Sequence, residues 1–246
     1  MSRRRPTHFR KRRFDPSTPG GRVTVLLLAA AFAGVSVGLI LPHVSPTVGQ
    51  IVGLYTASGP AADALATLVV DDEPSTAGYD RDLFAYRQTD DDGNGCDVRD
   101  DVLARDLADV TYRAAGSCQV QSGTLDDPYT GQTIRFARGS DTSAAVQIDH
   151  IVALENAWQS GARDWDAATR RRFGNDMNNL VAVDGPANQD KGSASAAYWL
   201  PTNAEYRCEY VARQIGVKAA YGLTVTTAEQ RAMQAVLRSC PAQELL

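Results

Sequence analysis

The reading turns on Gln147-Ile148-Asp149-His150-Ile151-Val152-Ala153-Leu154, with two stretches that follow it: Asn179-Leu180-Val181-Ala182-Val183-Asp184 and Ala187-Asn188-Gln189-Asp190-Lys191-Gly192. An acid beside a histidine closes one apolar run. An asparagine opens the next run, and a second asparagine and a lysine stand just past it. Residues 144–148 and 180–183 read as strands, because short apolar runs are bounded there by turn residues. Asp184-Gly185-Pro186 turns the chain, and residues 187–200 read as mainly helix, stopped by Pro201. The chain holds three histidines, and His8 and His43 flank an apolar N-terminal segment, so His150 is the imidazole placed for chemistry.

Upstream, residues 117–125 and 133–137 predict a hairpin around Asp126-Asp127-Pro128-Tyr129-Thr130-Gly131, which is strong turn chemistry. Residues 98–107 predict a helix. Two further helices, residues 151–161 and 164–173, separate His150 from Asn179, the second ending in Arg170-Arg171-Arg172. Those arginines suit either the helix dipole or a phosphate-facing patch. Downstream, residues 206–221 predict a helix stopped by Gly222, and Thr226 or Thr227 caps the last one. Asp90, Asp92, Asn94, Gly95 and Asp101 fall at calcium-loop spacing, but the last position lacks the usual Glu, so a solvated acidic turn is the expectation. The fold class is α+β, with a small strand–strand–helix unit carrying the chemistry.

Residues 1–22 carry Arg3, Arg4, Arg5, Arg10, Lys11, Arg12, Arg13 and Arg22 against one acid, Asp15, a charge of +7. Residues 23–41 then run without a charge, long enough to cross a bilayer as a helix, with the basic flank on the cytoplasmic side. The segment reads as a signal anchor, the alternative being a cleaved signal peptide. Four regions follow: a basic cytoplasmic arm (1–22), a transmembrane segment (23–41), a Pro-, Ala- and Ser-rich stalk (42–78) with a short helix expected near 61–70, and a folded domain (79–246). The domain is then either held at the cell membrane by a single span, outside the cytoplasm, or secreted. The whole chain is −4 and the arm +7, so residues 23–246 carry −11. That argues against tight, processive nucleic-acid binding. The four cysteines allow three disulfide pairings. Cys96–Cys118 and Cys208–Cys240 are preferred because each joins neighbouring segments, and four buried thiols are the alternative.

Hydrolysing a phosphodiester needs a base for water, a cation for the charge on the phosphorane and help for the departing alkoxide. His150 suits the first role. Asp149 and the amide oxygen of Asn188 are hard oxygen ligands of the kind magnesium prefers. Lys191, one turn beyond Asn188, is placed to reach a phosphate oxygen, and Asn179 to pin the second strand and orient the imidazole.

Asp149-His150, Asn179 and Asn188-x-x-Lys191, in that order, resemble the ββα-metal motif of HNH endonucleases. The wider block is similar to secreted actinobacterial HNH proteins of the domain-of-unknown-function 1524 group. It takes in residues 149–158, 179–184 and 188–192, Cys96-Asp97-Val98-Arg99, the 127–131 turn and Tyr206-Arg207-Cys208-Glu209-Tyr210. The resemblance implies an HNH-like core with added strands and helices behind the N-terminal segment. It also implies a divalent metal, Mg²⁺ or Mn²⁺, held by Asp149 and Asn188, with His150, Asn179 and Lys191 as catalytic residues. The substrate implied is DNA, or RNA, cut with little sequence preference. The helical stretch between His150 and Asn179 is longer than the loop of many HNH nucleases. A competing reading is a non-enzymatic cell-envelope domain that kept the fold, which the acidic charge favours.

Overall fold

The strand that ends in Asp149-His150 is β4 (Val146–His150), and its antiparallel partner is β5 (Leu180–Asp184), with His150 opposite Leu180 and Val146 opposite Asp184. This computed structural model describes residues 16–44, 57–86, 89–90, 92–139 and 143–245. Most of the basic arm (1–15) and part of the expected stalk (45–56) lie outside the described residues, as does Asp91 of the acidic turn.

Side chains alternate across a strand, so the β4–β5 pair has two buried faces. Val146, Leu180 and Ala182 enter a core built on α3 (Val98–Asp106) and on the antiparallel sheet of β1 (Ala108–Tyr112), β2 (Val120–Asp126) and β3 (Thr133–Ala137). Val181 and Val183 enter a second core with Tyr129, α7 (Arg207–Tyr221) and α8 (Thr227–Leu237). A pair buried on both faces has its register firmly set, because a slip of one residue would exchange the faces. The helix that follows, α6 (Gly185–Lys191), packs back on both strands. Gly185 makes that possible: a Cβ there would overlap the Ala144 carbonyl oxygen.

Between β4 and β5 run α4 (Leu154–Gln159) and α5 (Ala167–Gly174), matching the two helices expected there. Their apolar sides form a third core with Phe84, Val152, Trp158 and Phe173. The turn at Asp127 joins the hairpin to the site strands. Its Oδ2 accepts from the Thr130 amide and hydroxyl, and its Oδ1 accepts from the Asp184 amide. Cys96 is bonded to Cys118 and Cys208 to Cys240, the two pairings preferred from the sequence.

Three features differ from the sequence expectation. The folded unit begins at Ala57, not at residue 79. Helix α2 (Pro60–Thr67) sends Ala61 and Leu65, one turn apart, fully into the core of α7 and α8. The sequence predicts a short helix near 61–70 but not its docking, because its buried stripe is only two residues long; truncating a buried leucine such as Leu65 typically costs ~2–5 kcal/mol. Helix α6 ends at Lys191 rather than near residue 200, because Gly192 takes a left-handed φ of 53° that stops it. Strand β1 is unforeseen: it is largely exposed and carries Asp109 at φ 52°, so it shows no alternating pattern.

The other unit, Met1–Thr56, contributes α1 (Pro19–Val44). Residues Pro19–Leu41 form the one helix among the described residues long and apolar enough to cross a membrane, with a mean hydropathy of 2.5.

Candidate active site

Four consecutive β4 residues, Gln147 to His150, line one cavity of about 490 Å³ with Tyr79, Arg81, Glu155 and Asn188. Consecutive strand residues point to opposite faces, so this cavity wraps the edge of β4 away from β5. A second cavity of about 440 Å³ shares Arg81, Gln147, Ile148, His150 and Asn188 and adds Arg99 and Gly174.

His150 is buried, and its Nε2 lies 2.8 Å from the Gly174 carbonyl oxygen. A carbonyl oxygen only accepts, so Nε2 carries the proton and Nδ1 keeps its lone pair. Burial pushes the imidazole down to about 4, with the Gly174 bond and the Asp149 charge pulling the other way. The ring is therefore neutral at pH 7. Tyr86 packs edge-on against it, the ring centroids 5.7 Å apart.

Asp149 is also buried and is gripped by two donors. The Tyr129 hydroxyl donates to Oδ2 at 2.5 Å, and Lys191 Nζ lies 3.0 Å from Oδ1 and 2.9 Å from Oδ2. Burial, followed by the Asp149 charge, pushes the Tyr129 phenol well above its usual value, so it stays a donor. Tyr129 reads from the sequence only as a turn residue; an aromatic among polar turn residues is the one signal that could have found it. Lys191 also donates to the His150 carbonyl at 2.9 Å and is 1% exposed. Its position one turn beyond Asn188 predicts a reach outward to a phosphate oxygen, but the ammonium is buried against Asp149 and the His150 carbonyl. The register of α6 turns its ammonium inward, where it holds the end of β4.

Asn179 is fully buried and does not touch the imidazole. Its Oδ1 accepts from the Val152 amide at 2.8 Å and its Nδ2 donates to the Val152 carbonyl at 3.2 Å. It clamps the chain just after His150 and so acts on the backbone next to the imidazole rather than on the ring itself. Asn188 donates from Nδ2 to Gln147 Oε1 at 2.8 Å, which leaves its amide oxygen for another partner.

Asp149, Asn188 and Glu155 border one cavity and offer hard oxygens. Among the described residues no three His, Cys, Asp or Glu side chains converge as a metal cluster. Asp149 and Asn188 could hold a hard cation such as magnesium only as part of its shell, since that ion takes one or two protein oxygens and completes its coordination with water and phosphate. A carboxylate offers about four lone-pair sites, so the contacts from Tyr129 and Lys191 do not exhaust the acceptor capacity of Asp149.

The other sequence candidates lie elsewhere. Arg170 donates to the Trp165 carbonyl and Arg172 stacks on Tyr221, away from both cavities. The acidic turn is bound up in itself: Asp90 accepts from the amides of Gly93 and Gly95, while Asp92 and Asp101 both accept from Asn94.

Residues 97–236, more than half of the chain, match the family model described as GmrSD restriction endonucleases, C-terminal domain. A protein of Arthroderma benhamiae described as an uncharacterized secreted protein is 37% identical over 204 residues, 82% of this chain and 93% of the relative. No solved structure matches.

Proposed function

The chain belongs to the family of GmrSD restriction endonuclease C-terminal domains, and from that premise we propose that it is a metal-dependent nuclease of the HNH type. It hydrolyses phosphodiester bonds of DNA, or RNA, with little sequence preference. The observation that carries this reading is a neutral His150 with its lone pair on Nδ1, lining the same cavity as the oxygen donors Asp149 and Asn188.

In this mechanism Nδ1 of His150 takes the proton of the attacking water, while Nε2 stays tied to Gly174 and keeps the ring in the right tautomer. Tyr129 and Lys191 fix the Asp149 carboxylate, and Gln147 fixes the Asn188 amide. Magnesium or manganese held by Asp149 and Asn188 would offset charge on the phosphorane and on the leaving oxygen. The secreted relative and the apolar α1 support a site of action outside the cytoplasm, with the domain either anchored by α1 or released.

Nicking of supercoiled plasmid in Mg²⁺ or Mn²⁺ tests the reading. Chelation should stop it, and His150→Ala should slow it by roughly 10²–10⁴-fold, the usual contribution of a positioned base, while fold and metal affinity hold. Asp149→Ala and Asn188→Ala should instead weaken metal binding, and excess metal should partly restore their activity. An active His150→Ala protein overturns the assignment. The charge of −11 on residues 23–246 favours the second reading, a non-enzymatic envelope domain; absence of nicking with every metal supplied would select it.

A further inference from the structure

A cleft that binds a phosphodiester needs a cation that the protein has not already neutralised, and the lysine expected to serve is spent. Lys191 is buried against Asp149 and the His150 carbonyl. Arg99 keeps its charge but lines only the second cavity and is half-buried, its Nη2 committed to the carbonyls of Ser143 and Val146. Arg81 remains. It lines both cavities around His150, is exposed, and forms no ion pair with any described carboxylate.

Its placement is built. Arg81 opens the single 3₁₀ turn Arg81–Phe84, which Asp80 caps by accepting from the Asp82 amide. Phe84 anchors the turn in the third core. The turn lies so close to α5 that a Cβ on Gly174 would sit 2.6 Å from the Phe84 carbonyl oxygen. Gly174 is also the residue whose carbonyl holds His150. The Arg81 guanidinium stands 4.7 Å over the Tyr86 ring, which in turn packs on the His150 imidazole. A stacked guanidinium is restrained with its donors pointing outward, and its planar fork suits two oxygens of one phosphate. The positive charge of Arg81 also works against protonation of His150.

We propose that Arg81 is the phosphate-binding cation of this site and contacts the non-bridging oxygens of the phosphodiester being cut. The inference rests on the nuclease reading. It also places an essential part of the site upstream of residues 97–236, the span that matches the endonuclease family.

The test uses the full chain and its variants Arg81→Ala, Arg81→Gln and Arg81→Lys, with Arg163→Ala, which lies away from both cavities, as the control. Two readouts are taken: kcat/KM for plasmid nicking, and the salt dependence of binding to a short DNA duplex under chelation. Arg81→Ala should lower kcat/KM by about 10- to 100-fold, the range for losing a charge-assisted contact. Its log Kd against log salt slope should fall by ~0.9, one phosphate contact. Arg81→Lys should recover the slope but only part of the rate, because the fork is lost. Arg81→Gln keeps the stem and decides the matter if Arg81→Ala melts early. An Arg81→Ala protein that nicks and binds like the wild type overturns the proposal. If the wild type binds duplex without nicking it, the nuclease reading falls, and Arg81 as a phosphate ligand stands or falls on the slope alone. A wild type that neither nicks nor binds overturns both.

Discussion

Two lysines are buried in this domain, each against one carboxylate, and the two pairs behave differently because the carboxylates do. Lys218 is fully buried and lies 3.1 Å from each oxygen of Glu229, with further bonds to Ser160 Oγ and the Thr224 carbonyl. Burial lowers its pKa, and Glu229 pulls it back up. Both Glu229 oxygens face that ammonium, so Lys218 is the side-chain donor on which that acid depends. Lys191 is as deeply buried, but its partner Asp149 has a second donor in Tyr129 and borders a cavity. One pair ties two helices and a loop together. The other holds a carboxylate steady at the edge of a cleft. Burial of an ion pair therefore says little about its role until the second partner of each charge is known.

The largest effect should come from breaking the structural pair. Lys218→Met leaves Glu229 buried without its donor, and removing one partner of a buried pair costs ~3–5 kcal/mol. Urea unfolding should show that loss, and adding Glu229→Leu should recover most of it. The folded fraction should nick plasmid at the wild-type rate. An unchanged unfolding midpoint in Lys218→Met would remove one side of the comparison.

The disulfide Cys208–Cys240 staples the same two helices, α7 and α8, by their outer ends. Replacing both cysteines by serine should cost about 2–4 kcal/mol. Combined with Lys218→Met, the loss should depart from simple addition, because the two restraints act on one pair of helices. Strict additivity in denaturant melts would show that they act on separate regions.

Lys191→Met sharpens the contrast. Asp149 keeps the Tyr129 hydroxyl and faces the cleft, so the stability cost should be smaller, about 1–3 kcal/mol. Nicking should nevertheless fall more than tenfold, because the carboxylate and the end of β4 lose their anchor. A Lys191→Met enzyme that is as unstable as Lys218→Met and fully active would reverse the assignment of the two pairs.

The smallest effect is expected at the surface. Asp72 accepts from the Thr227 hydroxyl and amide, which hold its carboxyl below the ordinary range. A carboxyl depressed in the folded state stabilises above its unfolded pKa, near 3.9, and loses that contribution as the pH falls below it. The melting difference between wild type and Asp72→Asn should be present at pH 7 and shrink below about pH 3.9. A difference that grows on acidification would contradict the sign.

The local half of this architecture could be read from the chain. Gly222 and Thr226 end and begin helices where turn and cap chemistry predict. Asp149-His150 does close a strand, and Asn188 does sit on the helix that follows. The contacts that give these residues their roles are not local. Tyr129 reaches Asp149 across 20 residues, and Gly174 reaches His150 across 24. No period or spacing encodes such a meeting. Lys191 shows the same limit from the other side: its place on the helix was legible, but the direction of its ammonium depended on how α6 sits on β4. The helix that carries Ala61 and Leu65 was legible, but its docking was not, since two apolar residues make too short a stripe to mark a core-facing side.

The two disulfides also set an order of events for a chain that emerges from one end. Cys96 and Cys118 are 22 residues apart, and their loop can close while β4 is still being synthesised. Cys208 must wait for Cys240, 32 residues later, and the amide of Ala61 must wait longer still for the carbonyl of Gln243. Helix α2 emerges first in this domain yet docks on helices that emerge last. Throughout that interval Cys208 is an open thiol while the first staple is already finished, and a cut between residues 118 and 208 would part the two staples and leave each one whole on its own fragment.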